Sequence, residues 1–152
     1  MNSAISSTVE VPLSPEQAFE LFTEGLGSWW PHEFSWSQDA LEEIGMETAP
    51  GGLLYEIGPH GFRIDWGRVL EWDPPNRVVF SWQISPARVP EPDPTKASEV
   101  EIRFEPSGDG SRVELTHRGF ERHGDGAAEY AEMMGAQGWP HALQRFAAAA
   151  AA

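Results

Sequence analysis

The sequence predicts an α+β fold: a curved antiparallel sheet of about seven strands, two short helices after the first strand, and a long C-terminal helix across the sheet. Three observations carry this. Val78, Phe80, Trp82 and Ile84 alternate with Val79, Ser81 and Gln83; Val100, Ile102 and Phe104 with Glu99, Glu101, Arg103 and Glu105; Val113, Leu115 and His117 with Arg112, Glu114, Thr116 and Arg118. Runs of period two are antiparallel strands wet on one face and covered on the other. Ser14-Pro15-Glu16-Gln17 is a helix start, with a capping serine, proline at the first helical position and an S-x-x-Q box. Residues 125–149 carry Ala128, Tyr130, Met133, Met134, Leu143 and Phe146, and at ~1.5 Å per residue such a helix is about 37 Å long, enough to cross a sheet.

The elements follow in order. Residues 4–11, with Ile5, Thr8, Val9 and Val11, form the first strand, and Pro12 ends it. Ala18, Phe19, Leu21 and Phe22 give the first helix an apolar face; Gly25 and Gly27 close it, and a second helical piece ends at Trp29-Trp30-Pro31. Further strands are expected at 41–47, 53–57, 62–72, 77–85, 97–105 and 112–118. Turns separate them at Gly51-Gly52, Pro59-His60-Gly61, Asp73-Pro74-Pro75-Asn76 and Ser107-Gly108-Asp109-Gly110. Gly67 is placed where a bulge would bend its strand. Pro140 lacks a backbone donor, so a kink is expected near Gly138-Trp139-Pro140. No repeat or second domain is visible, and residues 1–152 read as one domain.

Composition narrows the function. With 24 acidic and 10 basic residues the formal charge is −14, and Lys96 is the only lysine. Such a chain is poorly suited to a phosphate backbone or an anionic membrane surface. The absence of cysteine excludes disulfides, zinc-thiolate sites and a cysteine nucleophile. The five histidines have no metal-ligand spacing, so no metal is expected. No cofactor motif is present: there is no G-x-G-x-x-G, P-loop or G-x-S-x-G. The first 13 residues have no basic start or long apolar run, and no membrane span is visible, so a cytoplasmic location is the expectation.

An ordered set of motifs resembles a known family. Pro50-Gly51-Gly52, Gly61, Trp66-Gly67-Arg68-Val69-Leu70-Glu71 and Pro74-Pro75-Asn76-Arg77-Val78-Val79-Phe80-Ser81-Trp82 resemble the AHSA-like branch (activator of heat-shock protein ATPase homologue-like) of the START-like, or SRPBCC, superfamily. Residues 98–105, Gly108-Asp109-Gly110, Leu115-Thr116-His117-Arg118-Gly119-Phe120 and Gly138-Trp139 continue the match over nearly the whole chain. The resemblance implies a helix-grip fold with an apolar cavity between sheet and long helix. It does not imply one activity, since members include ligand carriers, polyketide cyclases and co-chaperone domains. Eukaryotic co-chaperones carry an additional N-terminal domain, for which this chain has no room.

Seven Trp and eight Phe are many for 152 residues. Indole N–H groups need partners, so a pocket accommodates several of them more easily than a dry core. The candidate ligand-binding set is Trp30, Trp36, Tyr55, Trp66, Phe80, Trp82, Phe104 and Tyr130, with Met133 and Met134 as adaptable lining. His117, on the inward face, completes it and is the weak candidate for acid/base catalysis; a core histidine satisfied by a backbone partner is the alternative. Glu56, Arg63 and Asp65 are expected on a solvated face, opposite Tyr55, Phe62 and Ile64. Burying ~300 Å² of apolar ligand surface contributes about 7 kcal/mol before association costs, enough for micromolar binding.

The leading expectation is a non-catalytic protein that holds a small hydrophobic, aromatic or lipid-like ligand in the cavity, gated by the helix or by the loop after Trp30. One alternative is a cyclase- or hydrolase-type enzyme using His117. The other is a chaperone-associated interaction module. A homodimer and a chaperone partner are both compatible with the sequence.

Overall fold

The computed structural model describes residues 4–152. Its seven strands are β1 (Ile5–Val11), β2 (Glu43–Met46), β3 (Leu53–Ile57), β4 (Arg63–Asp73), β5 (Arg77–Trp82), β6 (Ser98–Ser107) and β7 (Gly110–Arg118). They form one antiparallel sheet in the order β1-β7-β6-β5-β4-β3-β2. After β1, helices α1 (Pro15–Thr23) and α2 (Leu26–Trp29) lead into a loop with two single 3₁₀ turns. After β7, α3 (Ala127–Met133), a π-helical turn (Met134–Gly138) and α4 (Trp139–Ala151) form the long C-terminal helix. The helix packs along β1 and against both early helices, so the sheet curls around it.

The start of α1 matches its sequence signature. The Ser14 hydroxyl accepts from the Gln17 backbone N–H at 3.2 Å, and the Gln17 side chain accepts from the Ser14 N–H at 3.3 Å. Ser14→Ala is expected to destabilise the protein by about 1 kcal/mol. A urea midpoint that falls with unchanged slope would show it, and an unchanged midpoint would mean the cap contributes nothing.

Two registers slip, and both bend β4. Leu54 pairs with Gly67 but Tyr55 with Asp65, leaving Trp66 over; Val69 pairs with Phe80 but Glu71 with Val79, leaving Leu70 over. Gly67 sits beside the first bulge rather than at it. A Cβ on Gly67 would lie 2.5 Å from the Ser81 carbonyl oxygen, so only glycine permits this approach. Bulges kink a strand and re-aim side chains, and here Trp66 turns inward, 2% exposed.

Three expectations about faces are corrected. On β3 the inward residues are Leu54 and Glu56, not Tyr55. Tyr55 lies outside, where its hydroxyl bonds Glu43 and the Arg63 guanidinium sits 4.6 Å above its ring. On β5, Val79 and Ser81 are buried as well as the inward set, so this strand is covered on both sides. Part of that cover comes from Glu101 on β6, expected in water but 8% exposed. Burial opposes its ionisation, yet bonds from the Arg77 and Arg118 guanidiniums outweigh that and hold its carboxyl below the usual range.

The C-terminal helix leaves α-geometry five residues upstream of Trp139. The turn Met134–Gly138 is π-helical, and Pro140 falls in the first turn of α4. There its missing N–H is tolerated. One apolar cluster joins Trp139, Leu143 and Phe146 of α4 with Phe22 of α1, Trp29 of α2 and the inward residues of the sheet.

Candidate functional site

The curl of the sheet and the π-turn leave a cavity between β3–β5 and the helix. Trp30, from the end of α2, closes its floor; its ring centroid is 5.3 Å from Trp66, 6.4 Å from Trp82 and 5.8 Å from Trp139. Trp82 lies 5.4 Å from both Trp66 and Trp139. Tyr130, Met133 and Met134 contribute from the helix, and Trp36, Glu56, Ile84 and Arg88 from the opposite rim. The space is about 60 Å³ and opens to the surface. It is overwhelmingly apolar, and it is smaller than the ~150 Å³ that admits benzene in an engineered cavity.

The cavity's polar groups are mostly committed within the protein. The Trp82 indole N–H donates to the Tyr130 hydroxyl at 2.7 Å, and that hydroxyl donates to the Ile84 carbonyl at 3.0 Å. Burial pushes the Tyr130 phenol up to about 12, so it stays protonated. Glu56, expected in water, is 1% exposed and accepts the backbone N–H groups of Trp36 at 3.1 Å and Ser37 at 2.8 Å. It thereby ties the loop carrying Trp36 to the sheet; paired with two donors, its oxygens tolerate burial. At the rim, the Trp36 indole donates to the Arg88 carbonyl at 2.7 Å, and the Arg88 guanidinium donates to the Phe34 carbonyl at 2.8 Å. Trp66 differs: its buried Nε1 has no acceptor among the described residues.

The structure brings Trp30, Trp36, Trp66, Trp82, Tyr130, Met133 and Met134 together on the cavity wall. It leaves four candidates elsewhere. Tyr55 is on the outer face, and Phe80 lies behind Trp66 at 6.4 Å. Phe104 packs against Phe19 and Phe22 under α1 at 5.2 and 5.8 Å. His117 is fully buried behind Trp82 and Trp139. The wall residues missed by the sequence reading, notably Glu56 and Arg88, had no periodic signal: one sits on a strand whose phase is set by a bulge, and the other in a loop.

His117 belongs to a chain of side chains. The Trp139 indole donates to its Nδ1 at 2.9 Å, and its Nε2 is 2.7 Å from the Ser98 hydroxyl, which is 2.7 Å from His123 Nε2. An indole N–H can only donate, so the proton of neutral His117 sits on Nε2 and is given to Ser98; the Ser98 proton is then given to His123. Burial, and then the neighbouring His123, pull the His117 ring well below the usual histidine range. With both nitrogens engaged inside the wall, His117 touches no atom in the cavity. It is satisfied by side chains rather than by the backbone.

Among the described residues no helix is long and apolar enough to cross a membrane, and no cluster of His, Cys, Asp or Glu has the arrangement of a metal site. Residues 12–151 match the family of activator of Hsp90 ATPase homolog 1-like proteins. No curated protein sequence matches the chain. Among solved structures, it is 37% identical to an anthrahydroquino-γ-pyrone synthase, Txn09, covering 95% of each chain with a TM-score of 0.68. It is 26% identical to CalC, a self-sacrificing resistance protein from Micromonospora echinospora, covering 97% of this chain and 93% of that one with a TM-score of 0.66. Protein NE0264 from Nitrosomonas europaea shares the fold at 17% identity, with a TM-score of 0.68 over 97% of this chain and 93% of the other. The curled sheet gripping a long C-terminal helix and this match over residues 12–151 lead to one conclusion: the chain belongs to the activator of Hsp90 ATPase homolog 1-like family, in the START-like (SRPBCC) superfamily.

Proposed function

We propose that the protein, acting as a single domain, binds a small, planar and largely apolar molecule between the sheet and the C-terminal helix, with an aromatic polyketide as the ligand class. The observation that carries this is the cavity wall of neighbouring indoles at Trp30, Trp66, Trp82 and Trp139, with the exposed Arg88 and Met133 also in the lining. Flat indole faces suit flat π-systems. The likeness to Txn09, an anthrahydroquino-γ-pyrone synthase, supports the same class. At about 60 Å³ the cavity must widen to admit a ring. The parts able to give are the flexible Met133 and Met134 side chains and the exposed segment around Arg88, whose φ is +64°.

Titrating the purified protein with a panel of planar polycyclic aromatics is expected to produce saturable quenching of Trp fluorescence and a raised Tm with at least one member. Absence of any saturable response across the panel would overturn the binding reading. The 37% identity to a synthase favours ring closure inside the cavity as a second reading. In that case the wall would orient a reactive chain, and His117 would act only by positioning Trp139. Turnover of a linear aromatic precursor by the same preparation separates the two. An Hsp90 bait that captures the protein, with no ligand response, would favour the interaction module instead.

A further inference from the structure

The binding reading leaves open what polar feature the ligand carries, and a donor count answers it. Of the five indoles on the cavity wall, Trp36, Trp82 and Trp139 each spend their N–H on a protein acceptor, while Trp30 and Trp66 have none among the described residues; of these two, only the Trp66 Nε1 is sealed from solvent. Outside the wall, Trp29 does the same, to the Leu21 carbonyl at 3.1 Å. Trp66 is 2% exposed and its Nε1 finds no acceptor among the described residues. It is also the residue left over at the β3–β4 bulge, where the inward phase of β4 passes from Ile64 and Trp66 to Val69. A sealed donor without a partner is costly, and polar groups in protein interiors are otherwise almost always satisfied.

Resting on the binding reading above, we propose that the Trp66 indole N–H is the specificity-determining donor of the cavity: it recognises a ring-borne carbonyl oxygen on the bound aromatic. The ligand class is therefore a planar aryl ketone, quinone or pyrone rather than a plain hydrocarbon. Tyr130 cannot take this role, because its hydroxyl proton already goes to the Ile84 carbonyl. The backbone donors of Trp36 and Ser37 are occupied by Glu56.

The test compares 9-fluorenone with fluorene, which share a flat tricyclic skeleton and differ in one carbonyl. The wild-type protein is expected to bind fluorenone about tenfold more tightly. Trp66→Phe, which keeps an aromatic ring and removes the N–H, is expected to bring the two affinities together, mainly by weakening fluorenone. In ¹⁵N-Trp-labelled wild-type protein, the Trp66 indole N–H resonance is expected to move downfield with fluorenone and not with fluorene; this reading does not depend on the variant folding. Equal wild-type affinities, or an unmoved Trp66 N–H at saturation with fluorenone, would overturn the proposal and leave the binding reading standing. Binding of neither probe, with no response from the wider aromatic panel, would remove the binding reading and the proposal together.

Discussion

Phe146→Ala is expected to destabilise the protein by about 3–5 kcal/mol, with a Tm lower by on the order of 10 °C. The ring is fully buried on α4 and sits edge-on to Phe22 at 5.4 Å and Trp29 at 5.2 Å. Those two rings touch each other at 4.9 Å, and Phe22 reaches Phe104 on the sheet at 5.8 Å. Phe146 thus joins the C-terminal helix, both early helices and β6. Truncating it removes transfer free energy and leaves a void that the surrounding aromatics, each held by its own neighbours, cannot fill. Urea unfolding of the variant measures the change. A loss under about 1 kcal/mol would mean that the helix does not dock as described.

Acid is expected to destabilise the fold in a pH range where most of its carboxylates are still ionised. His117 is held neutral by burial and by the nearby His123, and burial lowers His123 too. The unfolded chain takes up protons near pH 6.5, while the folded chain does not until the pH is lower. Stability is therefore fully present above about 6.5 and falls as the pH drops toward the folded-state values, by up to about 1.4 kcal/mol per pH unit for each ring held neutral. The hydrogen-bond chain adds a reason. A proton on His123 Nε2 would meet the Ser98 hydroxyl donor, and Ser98 cannot turn toward His117, whose Nε2 already carries the proton that Trp139 forces there. Urea midpoints at pH 7.5, 6.5 and 5.5 are expected to fall in that order, with a shallower fall in His117→Gln. A wild-type midpoint that does not move over this range would contradict neutral buried rings.

The sheet was legible because its central strands alternate cleanly. β5, β6 and β7 pair in register without interruption, so the period of two in the sequence maps onto one curved surface. The helix cap at Ser14 was legible because it is local, needing only residues 14–17. The site was legible only where periodicity survives. Trp82 and Tyr130 follow their strand and helix phases to the cavity. Glu56 and Tyr55 exchange faces relative to the simple hydrophobic reading because Tyr55 has partners outside, in Glu43 and Arg63, while the loop at Trp36 and Ser37 needs acceptors inside. Those partners are distant in sequence, and no local pattern announces them. His117 does face inward, as its alternation says, but alternation does not tell a cavity from the packed layer behind its wall.

The π-turn at Met134–Gly138 has a consequence for how this helix tolerates insertions and deletions. Each residue advances an α-helix by about 100°, and a π-turn absorbs one extra residue in nearly the rotation and rise of an ordinary turn. Removing one residue between positions 134 and 138 would let the turn relax to ordinary winding while Trp139, Leu143 and Phe146 keep their direction toward the sheet. A single-residue deletion in this stretch should therefore be better tolerated than one between Trp139 and Phe146, which would turn Phe146 away by about 100°.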